Sequence, residues 1–125
     1  MYTVTQYEDE TRAPGPAFAL THDVDGLIAR GGFHEAWPTL AMTWFEPVGD
    51  IRKHRRAVLN VIRHLVACAI RGGQYKRIEA HVVVGDRVAV KFALRFGFAL
   101  EHRLRRWGPN GEDYWLFSIL PPEVK

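Results

Sequence analysis

Apolar residues along this chain change period several times, and the changes mark its elements. Ala17-Phe18-Ala19-Leu20-Thr21 reads as a short strand, His22-Asp23-Val24-Asp25-Gly26 as a turn, and Leu27–His34 as a returning strand. Leu40–Phe45 forms a further strand, stopped by Pro47 and Gly49, so a meander is expected. Met1–Gly15 is polar, ends in a Pro-Gly-Pro corner, and reads as a short strand followed by a loop.

From Ile51 to Arg71 the period becomes helical, with Ile51, Val58, Ile62, Leu65, Val66 and Ala69 on one stripe. Asp50 is the expected N-cap, and Gly72-Gly73 the stop. Cys68 falls beside the stripe and is expected as a buried filler. Arg77–Val83 is then a strand, placed parallel to the strand before the helix by a right-handed crossover. A second helix runs over Asp86–Phe96, with Asp86 or Gly85 at its start and Val88, Phe92 and Phe96 as its buried stripe. Gly97-Phe98 turns the chain into a closing hairpin, Leu100–Trp107 and Tyr114–Leu120, around Gly108–Gly111. The order is β-β-β(β)-α-β-α-β-β, with the fourth early strand optional, a mixed, mostly antiparallel α+β sheet of six to seven strands with two main helices.

The 125 residues suffice for one domain spanning 1–125. One cysteine excludes an internal disulfide and fits a reducing cytoplasm. No apolar run reaches the length of a bilayer span and the N-terminus shows no signal pattern, so no membrane association is expected. The charge is lopsided: residues 1–50 hold two Lys/Arg against eight Asp/Glu, and residues 51–125 hold fifteen against six. Such a basic back half suits an anion, which could be nucleic acid, an acidic protein or a phosphorylated cofactor. Trp37, Trp44, Trp107 and Trp115 lie on different strands among apolar neighbours. They read as core or pocket walls rather than as a stacking platform, so nucleic acid is not the expected partner. His22, Asp23 and Asp25 sit in a hairpin turn, and no metal is expected there.

The run Arg77–Val82, Asp86–Phe96 and Gly97-Phe98 resembles the GNAT superfamily of N-acetyltransferases, and within it the small GNAT-like proteins of tailed phages. The family pattern is a strand followed by Asn-x-x-Ala-x-x-x-Tyr-x-x-x-Gly-Phe; Asp86, Ala89 and Gly97-Phe98 occupy its places here. The likeness extends over roughly Ala17–Leu120, without room for the family's two N-terminal helices. It implies acetyl-CoA as co-substrate, lying in a gap between two splayed parallel strands, with its pyrophosphate at the start of the long helix. Implied cofactor contacts are Thr43, Trp44 and Phe45 on one strand, and His81 and Val83 on the other. Arg52, Lys53, His54, Arg55 and Arg56 stand at the helix start, with Asp86 and Val90 on the second helix.

Two family features are replaced. The phosphate loop Arg/Gln-x-x-Gly-x-Gly/Ala is Asp50–Arg55 here, with cations where the glycines stand, and the helix tyrosine is Ala93. Candidates for proton transfer are Glu35, Glu46, His34 and His81, with Tyr114 and Ser118 as substitutes for the missing acid. The sheet end at Phe33–Trp37 and Trp44–Glu46 is the expected site. The implied activity is acetyl transfer to an amine, either a small molecule or a protein lysine, and for a phage-encoded member a lysine of a host protein in the host cytoplasm. The alternative is an inactive GNAT-shaped phage protein serving as a virion component or host-protein binding module. The apolar end Ile119-Leu120-Pro121-Pro122 leaves a homodimer open.

Overall fold

The computed structural model describes residues 1–9 and 14–123. Nine elements follow in the order β1 (Tyr2–Tyr7), β2 (Ala17–His22), β3 (Gly26–Trp37), β4 (Leu40–Pro47), α1 (Arg55–Arg71), β5 (Arg77–Val83), α2 (Arg87–Arg95), β6 (Ala99–Leu104) and β7 (Tyr114–Ile119). The seven strands form one sheet in the order β1-β2-β3-β4-β5-β7-β6. Only β4 and β5 pair in parallel; the other five ladders are antiparallel. Nine residues separate β1 from β2, too few for two intervening helices.

Both helices cover the same face of the sheet, and handedness explains why. β5 runs parallel to β4, and β6, two antiparallel steps away, again runs parallel to β5. Two right-handed crossovers that progress in one direction leave both helices on one side. The core agrees: Val66 of α1 and Ala93 of α2 share a buried cluster with Ile78, Val82 and Phe117. A smaller cluster, Leu20, Ile28, Ala29 and Val58, seats the start of α1 on β2 and β3. Strand alternation sends Arg77, Glu79, His81 and Val83 of β5 to the face that the helices leave open.

Several local expectations need correction. α1 begins at Arg55, not Ile51, because Ile51–His54 form turns. Asp50 caps that turn instead, accepting a hydrogen bond from the Lys53 amide at 3.3 Å. Cys68 is exposed, about 200° around the helix from the buried Val66. On α2 the buried side is Ala89, Val90, Ala93 and Phe96, while Val88 is 62% exposed. Asp86 does cap α2, accepting from the Ala89 amide at 3.0 Å. β6 stops at Leu104, ahead of Arg106, whose φ of 54° breaks the strand.

Candidate active site

The parallel ladder between β4 and β5 is short. Leu40, Ala41 and Met42 pair with Arg77, Ile78 and Glu79, and there the register ends. Thr43 supplies the next link through its side chain, its hydroxyl donating to the Glu79 carbonyl at 3.0 Å. Beyond it Trp44, Phe45 and Glu46 pair only with β3, and Ala80–Val83 only with β7. The strands therefore part and present facing backbone edges to a wedge that opens toward the C-terminal ends of β4 and β5. An extended ligand satisfies such edges as a strand would.

After β4 the chain runs back along β3, with the Val48 and Gly49 amides donating to the Ile28 carbonyl, and α1 starts over β2 and β3, where Val58 packs on Leu20, Ile28 and Ala29. Its first turn holds no acidic residue, and the N-cap residue His54 makes no capping hydrogen bond with its side chain. The first-turn amides and the positive end of the helix dipole are thus left for an anion. Arg52, Lys53, Arg55 and Arg56 are all exposed around it.

His54 does something different from its cationic neighbours. It is 3% exposed and turned beneath the helix. One ring nitrogen meets the Tyr2 hydroxyl at 2.6 Å and the other the Asp25 carboxylate at 2.8 Å. The ring is pinned to β1 and to the β2–β3 turn, which steadies the loop where the family places glycines. His22, Asp25 and His54 bring nitrogen and oxygen donors within 4.8 Å of one another. Their geometry is already spoken for, since the Lys53 ammonium sits 2.9 Å from Asp25 and the His22 ring accepts the Val24 and Asp25 amides.

The candidate proton-transfer residues do not converge. Glu35 lies at the closed end of the β4–β5 ladder, accepting from the Tyr75 hydroxyl at 2.5 Å and from Gln74 at 3.0 Å. Burial, and after it that bond to Glu35, push the Tyr75 hydroxyl well above its ordinary value. Glu46 is at the opposite end of β4 and pairs with Arg30 across the open face. Phe33–Trp37 and Trp44–Glu46 are thus not one sheet end, because antiparallel pairing sets Trp37 against Leu40 and Glu46 against Arg30. His34 stands opposite Met42, at the level where the ladder stops.

His81 is the candidate best placed beside the wedge. It projects from the diverging half of β5 onto the open face, with the Trp107 ring stacked on it at 4.6 Å and 4°. Trp107 in turn packs against Tyr114 at 5.0 Å. Burial holds the His81 imidazole below its ordinary pKa, against the pull of Glu79, whose carboxylate lies 3.5 Å away. A neutral imidazole with a free lone pair is the form a proton acceptor requires. Around it runs a network that sequence reading missed. Arg77 bridges Glu79 at 2.5 Å and Glu101 at 2.7 Å, and Glu101 also accepts from the Ser118 hydroxyl at 2.6 Å. Those two bonds hold the Glu101 carboxyl below its usual range. The signal for it was the alternation Arg77-x-Glu79-x-His81, three polar side chains on one face of a central strand.

Ala93, where the family pattern has tyrosine, is buried, and its methyl side chain offers no polar atom. Asp86 is committed to capping α2, and Val90 is packed in the core. Phe45 points toward α1 and lines an apolar groove with Val58, Val61 and Ile62.

By sequence, no protein-family model and no curated protein matches this chain. By structure the likeness is broad. The ribosomal-protein-S18-alanine N-acetyltransferase of Escherichia coli superposes with a TM-score of 0.76 at 17% identity, over 100% of this chain and 97% of that one. A Vibrio cholerae spermidine N-acetyltransferase, SpeG, in an N152L form gives 0.76 at 13%, over 96% and 94%. A GNAT-family acetyltransferase of Bacillus anthracis gives 0.71 at 13%, over 86% and 67%. The chain has the GNAT fold. At these identities the likeness speaks for architecture, and in a GNAT fold the parted strands and the open helix start are the features to interpret.

Proposed function

We propose that the protein is an N-acetyltransferase that moves an acetyl group from acetyl-CoA to an amine. The observation that carries this reading is the parting of β4 and β5 after Met42 and Glu79, in a chain whose next helix starts with neither an acidic residue nor a side-chain cap. The residues fit such a co-substrate. The edges of Thr43–Phe45 and Ala80–Val83 would take its pantetheine amides, and the first-turn amides of α1 with Arg52, Arg55 and Arg56 its phosphates. Cations at the glycine positions contact phosphate with side chains where the family uses bare backbone.

When bound, the thioester supplies an activated acyl group whose thiolate is a good leaving group. The chain's own part is to hold an amine against it and to accept the amine's proton. His81 takes the proton, while Trp107 and Tyr114 wall the approach from the open face. Ala93 offers no proton to the departing sulfur, so Tyr114 or water serves there. Much of the acceleration then comes from positioning.

The acceptor is an amine of a protein side chain or of a small molecule; the E. coli and V. cholerae neighbours are named for a ribosomal protein and for spermidine respectively. A phage origin would make host proteins the acceptor pool and the host cytoplasm the setting. The buried Ala93 favours a second reading, a GNAT-shaped binding protein that holds the co-substrate, or a partner, without turnover.

Calorimetric titration with acetyl-CoA, followed by mass spectrometry of incubated polyamines and lysine peptides, separates these readings. Binding with a mass gain of one acetyl group supports the enzyme. Binding without product supports the second reading, and absence of binding sinks the co-substrate site.

A further inference from the structure

The two helices contain seven Lys/Arg and not one Asp/Glu, which leaves ten Lys/Arg against fourteen Asp/Glu for the rest of the chain. Arg55, Arg56, Arg63 and Arg71 lie on α1, and Arg87, Lys91 and Arg95 on α2. All seven are exposed. None of them is in an ion pair among the described residues. Since both helices cover one face, the charge is segregated by layer: a cationic helix layer backed by a sheet and loops that are net acidic.

Folding stability does not account for this arrangement. Arg55 and Arg87 open their helices, where the dipole disfavours a cation, and neither first turn contains an acid. Arg87, Lys91 and Arg95 recur every four residues, so each repels the next along one ridge. Acidic residues at a few of these surface positions would stabilise both helices, yet none occurs.

From this we infer that the helix layer is a docking surface for the phosphate backbone of nucleic acid, distinct from the co-substrate mouth at Arg52, Arg55 and Arg56. Of the five helix cations outside that mouth, Arg63, Arg71, Arg87 and Arg95 are arginines, whose planar fork bonds two phosphate oxygens at once, and the fifth is Lys91. Successive cations on α2 stand about 6 Å apart, four residues at 1.5 Å rise. Stacking aromatics are unnecessary, because backbone contacts bind without reading bases. An anionic membrane fits less well. α1 exposes no large hydrophobic residue, and α2 exposes only Val88 and Leu94, short of the apolar face that insertion needs.

The test is fluorescence anisotropy with a labelled RNA strand and a labelled DNA duplex, from about 50 to 200 mM salt. The expected result is binding to one or both that weakens steeply with salt. The variant Arg63→Glu/Lys91→Glu/Arg95→Glu should lose at least tenfold in affinity, and its log–log salt slope should flatten by about 2 to 3. None of those residues is among the proposed co-substrate contacts, so the variant's acetyl-CoA titration should match wild type, and that match also shows a folded protein. If triple reversal prevents folding, Arg63→Gln/Lys91→Gln/Arg95→Gln replaces it, with a smaller loss in the same direction. Three outcomes overturn the inference: no binding even at low salt, equal binding by the variant, or association only with anionic phospholipid vesicles. Displacement of the nucleic acid by excess coenzyme A also overturns it, since the cations would then belong to the co-substrate mouth.

Discussion

His81 concentrates the chemistry of the open face into one side chain. Its ring is pressed against Trp107 and largely withdrawn from water, which favours the uncharged form. Two consequences follow. If His81 accepts the amine's proton, the rate of His81→Gln should fall by about 10²- to 10⁴-fold while acetyl-CoA affinity stays within a few fold. The acid limb of the wild-type rate profile should lie below the ordinary histidine range near 6.5, and it should vanish in the variant. Steady-state rates across pH check both. The linkage sign is fixed by the same shift. The unfolded chain takes up this proton first as pH drops, so folding stability from His81 is complete above the ordinary range. It declines as pH falls from there to the lowered folded value.

At the scale of elements, the segment before β2 and the turn after it make a useful contrast. Gly15 lies against β3, where the Glu35 amide donates to the Pro14 carbonyl and the Phe33 amide to the Pro16 carbonyl. Its φ is 142°, and an added Cβ would meet the Phe33 carbonyl oxygen at 1.7 Å. Gly26, with φ of 74°, has nothing within 4 Å of such a Cβ. Gly15→Ala should therefore cost about 2 to 4 kcal/mol and lower the melting temperature by roughly 10 °C, against about 1 kcal/mol for Gly26→Ala. Thermal melts of the two variants check the difference.

The same elements show what sequence alone can carry. Period-2 and period-3.6 patterns placed the strands from β2 onward and both helices, because alternation is set by which face is buried; β1 is exposed along its length and was expected only as a short strand within Met1–Gly15. Element ends depended on tertiary contacts instead. The start of α1 slipped from Ile51 to Arg55 because the His54 ring is drawn down to Tyr2 and Asp25, fifty-two and twenty-nine residues away in sequence. The wedge was foreseen only through family resemblance, since no local pattern announces that a parallel ladder stops after three pairs. The Glu35 and Glu46 grouping failed on register: adjacent antiparallel strands bring the end of one beside the start of the next. His81 stood in the candidate set, but its partner Trp107 came from a distant hairpin and was invisible to local spacing.

For the molecule as a whole, the proposed co-substrate would bridge β4, β5 and the start of α1 and so tie together strands that part after three pairs. Ligand that binds only the folded chain raises its stability by mass action, about 2.7 kcal/mol at a hundredfold excess over Kd. The melting temperature should rise by roughly 10 °C with saturating acetyl-CoA, and by less with dephosphorylated pantetheine, which cannot reach the cations of the helix start. A melt series over ligand concentration checks this.

The sheet's two outer strands are not equivalent. β6 carries Glu101, His102 and Arg103 along its length, whereas β1 reads Tyr-Thr-Val-Thr-Gln-Tyr without a formal charge. Charged side chains discourage a neighbouring chain from zipping onto an edge, and β1 has no such guard. Concentrated preparations will begin to aggregate along this rim, and a lysine in place of Thr3 or Thr5 is the least intrusive means of keeping the protein monodisperse.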